Sequence, residues 1–182
     1  MRPFGNFVTV ISMKLLLTVL DTRIKKKASK EKLANLNQLS AIFLKFLSKN
    51  PHFKAVKLVT LNLTLCGKTK IKNLNHDYRS IDKVTDVLSF GVHENLRPDI
   101  KQKQNNPPIL DLGDIFICKD VAAKQAREFD ISYEQEIFHL ATHGFLHLLG
   151  FDHELSLKEE KIMEAYEAEL IKIIYKKLGY KK

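Results

Sequence analysis

Three histidines spaced by four and six residues, His143, His147 and His153, with Gly150 between the second and third, restrict this stretch of chain to a helix, a stop and a return. On a helix, residues four apart lie on one face about 5–6 Å from each other, so His143 and His147 aim two ring nitrogens at one point. Glycine reaches the left-handed conformation that ends a helix at little steric cost. Gly150 therefore lets the chain turn back and offer His153 from another direction. Three imidazole nitrogens around one ion leave a fourth position for water, the arrangement of a catalytic zinc site rather than a closed structural one. A single histidine on a half-buried helix face is usually just packed and hydrogen-bonded. With seven histidines in the chain, however, two more at prescribed offsets from a first arise by chance at a frequency on the order of 10⁻³, and the metal reading prevails.

The spacing H-x-x-x-H-x-x-G-x-x-H is also that of the metzincin peptidases, which carry Glu directly after the first His as general base towards the zinc-bound water. Here that place is Gly144. A peptidase reading keeps its metal and loses its base.

Around this segment the patterning predicts an α/β domain with about four strands and about five helices. Lys14 to Asp21 reads as a first strand. Ser29 caps a helix in which Leu33, Leu36, Leu39, Phe43, Phe46 and Leu47 recur at helical steps, ending at Asn50-Pro51. Ala55 to Cys66, rich in Val, Leu and Thr, reads as a strand. Thr69 to Tyr78 is a short helix with Ile71, Leu74 and Tyr78 turned inward, and it delivers Arg79 at its end. Thr85 to Val92 and Leu110 to Cys118 are two more strands. Between them, about Glu94 to Pro108 forms a polar, proline-containing insert that cannot bury enough to order itself. Asp120 opens a helix to about Phe129, Ser132 with Gln135 forms a capping box for the helix of the histidines, and Ser156 with Glu159 starts a last helix ending at Gly179.

A chain of 182 residues is long enough to bury one core without staples, so residues 13–182 are expected to form a single domain and 1–12 a loose extension, with Met13 an alternative start. Phe7 to Leu20 is apolar but is interrupted by Lys14, lacks a small-residue cleavage site and is too short to span a bilayer, so a soluble, cytoplasmic protein is expected, with no membrane partner. Cys66 and Cys118 are too few and too far apart for a disulfide framework or zinc ribbon and read as small buried hydrophobes of a reducing compartment. Thirty Lys and Arg against twenty-one Asp and Glu give a net charge of +9, which favours encounter with polyanions. Part of the excess lies in the runs 23–27 and 176–182, which read as solvated ends. The absence of a G-x-x-x-x-G-K-[ST] loop argues against a nucleotide cofactor, and that of a G-x-S-x-G elbow against a serine hydrolase.

A divalent ion held by neutral imidazoles lowers the pKa of its bound water to about 7 and can polarise a phosphoryl oxygen. Charge developing on non-bridging oxygens then wants a fixed donor, and a guanidinium offers planar, bidentate, permanently charged donation. Arg79 is the candidate, since most other basic residues sit in lysine-rich runs; the alternative is a structural salt bridge to Asp82 or Asp86. His139 lies one turn before His143, about 12 Å along the axis from His147, and cannot share an ion with it. It is placed instead either in the lining of the cleft or behind the metal ligands, where it could orient one of them. Asp152 and Glu154 flank His153 and are candidates to orient an imidazole or take a proton. The general base is left open among Glu154, Asp152, His139 and a substrate phosphate oxygen, or, were the substrate RNA, its own 2′-hydroxyl would serve as nucleophile.

The segment from His139 to His153 resembles the signature H-G-x-L-H-L-x-G-[YF]-D-H of the YbeY family. Asn73-Leu74-Asn75-His76-Asp77-Tyr78-Arg79 with Thr85-Asp86-Val87-Leu88-Ser89-Phe90 resembles its L-N-x-x-[YF]-R-x-x-D-x-x-T-D-V-L-S-F block, and Leu112-Gly113-Asp114-Ile115 its L-G-D-I strand. Gly144 belongs to that pattern; the longer N-terminus, Val84 in place of a frequent proline and the insert after Glu94 depart from it. The resemblance implies a zincin-like fold with the metal helix central and the sheet covering it. It also implies a metal-dependent, single-strand-specific endoribonuclease that matures ribosomal RNA at the 3′ end of the small-subunit 16S molecule. Zn2+ would be the ion on His143, His147 and His153, Arg79 would act on the phosphate, and the partners would be single-stranded RNA, ribosomal RNA and the small subunit or its assembly factors. Two competing expectations are a zinc metallopeptidase and a ribosome-assembly RNA-binding factor whose metal is structural.

Overall fold

The structure is a computed structural model that describes residues 13–21, 30–100 and 106–180. The N-terminal extension before Met13, the basic run 23–27, the Ser29 cap, the side chains of Leu33 and Leu36 and the centre of the insert, 101–105, lie outside the described residues. In chain order the elements are β1 (Lys14–Asp21), α1 (Lys30–Ser48), a 3-10 turn (Pro51–Phe53), β2 (Leu58–Cys66), α2 (Lys68–Arg79), β3 (Val87–Gly91), β4 (Ile109–Cys118), α3 (Lys119–Glu128), α4 (Tyr133–Leu148) and α5 (Leu157–Leu178). The α/β expectation of four strands and five helices is met, with boundaries shifted by one to three residues.

The strands form one mixed sheet in the order β1-β2-β4-β3, with β1, β2 and β4 parallel and β3 antiparallel to β4. Alternation along β4 sends Ile115 and Ile117 into the main core and Phe116 and Cys118 into a smaller one on the opposite face. Upstream, Leu110 and Leu112 reach the same main core although they stand at even positions, because a bulge between Thr60 and Asn62 sets Asp111 and Asp114 opposite them and restores the face. Gly113 sits in that bulge at φ +111°, where a Cβ would lie 2.0 Å from the Phe90 carbonyl oxygen. No other residue type fits there without moving β3.

Helix α4 is buried on most of its circumference, with Ile137, Phe138, Leu140, Ala141, Phe145, Leu146 and Leu148 all in the core. Such a helix has no solvated face to spare and must sit between layers. It packs on β3 and β4 and is flanked by α3 and α5. Phe145 stacks on Phe43 of α1 with ring centroids 4.0 Å apart, and Ser132 and Gln135 close the predicted capping box at its start. Cys66 and Cys118 are buried, face each other in register across β2 and β4 and are not joined in a disulfide.

Two expectations are corrected. Tyr78 does not point inward: it is 69% exposed, because α2 rests on the smaller core through Ile71 and Leu74 while Tyr78 lies against the Phe90 ring in the lining of the cleft. The insert, where described, is not loose. Leu96 is fully buried, Asn50 donates to the Leu96 carbonyl at 2.7 Å, and Asn106 donates to the His52 carbonyl at 2.8 Å. Arg97, only 6% exposed, bonds Asp99 and Glu159 and lies 4.6 Å from the Phe151 ring centroid. A buried guanidinium satisfied by two carboxylates and an aromatic face supplies the ordering that composition did not suggest.

Candidate metal centre and substrate cleft

The last turn of α4 ends in a Schellman motif: Phe151 N–H donates to the Leu146 carbonyl at 3.2 Å and Gly150 N–H to the His147 carbonyl at 2.9 Å, with Gly150 at φ +93°. Phe151 is buried beside Leu146 in the core, which fixes where the chain emerges. From there Asp152 accepts the Glu154 N–H at 2.9 Å, a local turn that holds His153 towards the helix.

The result is a convergence of three imidazoles. Ligand atoms of His143, His147 and His153 all lie within 4.8 Å of one another, and the Nε2 atoms of His143 and His147 are 3.1 Å apart. Two nitrogens bound to one tetrahedral zinc at about 2.0–2.1 Å would be separated by about 3.3 Å, so the spacing fits a shared ion. Burial, followed by the neighbouring His143 and His153, pushes the His147 imidazole down to about 4. It is therefore neutral at physiological pH, with its lone pair available.

Glu167 on α5 lies behind this group, its carboxylate 3.6 Å from His143 Nδ1. The sequence carried no signal for it, because which residues of α5 face α4 depends on how the two helices pack. His139 turns out not to line the cleft. Its Nε2 lies 2.8 Å from the Tyr175 hydroxyl, and burial lowers its pKa against the opposing charge of Glu167.

The histidines open into a cleft of about 1120 Å³ that also takes in Arg79, Tyr78, Asp86, Ser89, Phe90, Asp152 and Glu154. Arg79 pairs with neither carboxylate considered from sequence. Asp82 takes Lys72 at 3.1 Å, and Asp86 accepts from Gln125 at 2.8 Å and from the Val87 N–H at 2.8 Å. Burial would raise the Asp86 pKa, but those bonds and one from Thr85 outweigh it, and the carboxyl lies below its ordinary value. Arg79 Nη2 instead faces Glu154 Oε1 at 3.8 Å, with both side chains about half exposed or more, at 48% and 66%.

Gly144 stands where a metzincin peptidase carries its glutamate. A Cβ there would lie 2.8 Å from Ser89 Oγ and 2.9 Å from Ile115 Cγ2, so the position that bears a peptidase's glutamate is closed by the sheet. The helix approaches β3 and β4 because nothing stands between them.

Comparison with known proteins agrees with this geometry. Residues 23–175 match the family model described as endoribonuclease YbeY. The endoribonuclease YbeY of Staphylococcus carnosus is 50% identical over 103 residues, which span 57% of this chain and 64% of that relative. The Staphylococcus aureus protein of the same name is 42% identical over 130 residues, 68% of this chain and 81% of that one. The solution structure of TM1509 from Thermotoga maritima superposes with a TM-score of 0.56 at 27% identity, covering 90% of this chain and 91% of that one. With its family model matched over most of its length and its histidine-bearing helix laid against the sheet through Gly144, the chain belongs to the YbeY endoribonuclease family.

Proposed function

We propose that the cleft is a metal-dependent, single-strand-specific endoribonuclease site in which His143, His147 and His153 hold one divalent ion and Arg79 engages the scissile phosphate. Hydrolysis of RNA in ribosomal RNA maturation goes with family membership; the ion, the residue roles and the strand preference extend the expectations that the family resemblance raised. Zinc is the ion of choice for three neutral imidazoles, although iron, nickel and copper accept the same donors. When bound, it would supply Lewis acidity to a phosphoryl oxygen and acidify a neighbouring water.

The protein's own groups do the rest. Arg79 donates to the non-bridging oxygens, where negative charge grows as the phosphodiester is attacked. Glu154, at 3.8 Å, keeps the guanidinium at the cleft rim without a tight bond, so a phosphate can displace it. Ribosomal RNA reaches the cleft with help from the +9 net charge, and association with the small subunit or its assembly factors would bring the substrate to hand. Work on ribosomal RNA would place the protein in the cytoplasm; among the described residues no helix is long and apolar enough to cross a membrane.

The closed position at Gly144 carries the choice of phosphodiester over peptide, and Arg79 in the same cleft as the histidines supports it. The test is a matched assay of purified protein and His147→Ala on single-stranded RNA, duplex RNA and casein, with and without chelator. Chelator-sensitive cleavage of single-stranded RNA alone, lost in His147→Ala, is expected. Casein hydrolysis, or RNA cleavage retained by His147→Ala, would overturn the assignment.

A further inference from the structure

The cleft holds an aromatic surface that phosphate chemistry does not use. Tyr78, at the end of α2, has its ring centroid 4.8 Å from that of Phe90 on β3 at a tilt of 56°. Phe90 is braced edgewise on Phe116, 5.8 Å away, and Phe116 is capped by the Lys70 ammonium at 5.2 Å. The series is anchored at one end and open at the other, since Tyr78 is 69% exposed while Phe90 is half-buried. Leaving a large ring in water forgoes burial that the fold obtains elsewhere on the same helix through Ile71. The exposed ring also adjoins Arg79 in sequence and lines the same cleft as the three histidines.

Building on the endoribonuclease reading, we propose that Tyr78, backed by Phe90, is a nucleobase subsite on which an unpaired base next to the scissile phosphate stacks. Every base presents a π-face, so such a platform accepts any sequence but requires the base to be free of a duplex. Tyr78 and Arg79 line the same cleft, so one strand lying in it can offer a base to the first and a phosphate to the second. A cleft of about 1120 Å³ exceeds the roughly 300–1,000 Å³ of small-molecule sites and suits a short stretch of strand. The platform thus gives the preference for single strands a physical origin in this chain.

The test combines Tyr78→Ala and Tyr78→Phe with single-stranded RNA in which one base at a time is removed around the cleavage point. Loss of stacking is expected to weaken binding by Tyr78→Ala about tenfold or more, with Tyr78→Phe near the native value. The salt dependence should be unchanged, because no phosphate contact is lost. One abasic position should weaken the native protein to the same extent and leave Tyr78→Ala unaffected. Native-like binding by Tyr78→Ala, with native RNA cleavage intact, or equal effects of every abasic position on both proteins, would overturn the subsite while leaving the endoribonuclease reading standing. A native protein that neither binds nor cleaves RNA would overturn both.

Discussion

The Nδ1 atom of His143 lies 3.6 Å from the carboxylate of Glu167, while its Nε2 lies 3.1 Å from His147 Nε2. One edge of the imidazole is thereby turned towards the other histidines and the other towards a carboxylate just beyond hydrogen-bond reach, which a small movement on metal binding would bring into contact. Glu167→Gln is expected to weaken metal retention by about 10- to 100-fold, as loss of such partners does elsewhere. Competition with a chromogenic chelator measures it. Equal retention by both proteins would reduce Glu167 to a packing residue of α5.

Gly144 makes a prediction about stability and another about chemistry. Gly144→Ala gains about 1 kcal/mol of helix propensity but must displace Ile115, at about 1–3 kcal/mol of overpacking, so a net loss of up to about 2 kcal/mol is expected in urea unfolding. Gly144→Glu must also bury a carboxylate and should lose more than about 3 kcal/mol. It is not expected to hydrolyse casein. A stable, proteolytic Gly144→Glu would show that the sheet does not close this position.

What the sequence made legible was whatever depends on one element at a time. The capping box at Ser132, the glycine stop at Gly150 and the convergence of His143, His147 and His153 all follow from backbone geometry within some twenty residues, and the structure places each in that geometry. Tyr78 stands at the spacing of an inward stripe from Ile71 and Leu74, yet the core ends before it, which only the packing of α2 on its neighbours decides. Arg97 and Glu159 are 62 residues apart, and their ion pair exists only once α5 and the insert have met. Glu167 behind His143 and Glu154 beside Arg79 are likewise products of packing, to which periodicity is blind.

Glu136 gives a pH prediction. It is 3% exposed, and burial, then the charges of Asp86 and of Glu167 on α5, raise its pKa above the ordinary 4.5. The folded state therefore binds this proton more tightly than the unfolded chain. Its contribution to stability is complete below about pH 4.5 and is lost as pH rises through the folded value. Glu136→Gln removes that loss, so the variant should be more stable than the native protein at neutral pH and no more stable at pH 4, as read by melting temperature across the range. A constant difference at all pH values would mean that Glu136 is not the titrating group.

Arg79 reaches Glu154 at 3.8 Å, with its side chain 48% exposed, and exposed pairs of that kind contribute little to stability. The pair therefore asks little of the fold, and the proposed role of Arg79, at charge that grows in the transition state, rests on its lining the same cleft as the three histidines. Arg79→Ala is expected to cut the cleavage rate by on the order of 10² or more while leaving metal content and melting temperature close to native. Arg79→Lys should restore only part of the rate, because an ammonium cannot donate to two oxygens in a plane. Single-turnover cleavage with saturating protein separates this from weaker binding, since a transition-state contact lowers the rate of the bound complex itself. If Arg79→Ala instead unfolded, the pair with Glu154 would have to be structural after all; if it cleaved RNA at the native rate, the phosphate would have to be held by another group and the assignment of Arg79 would fall.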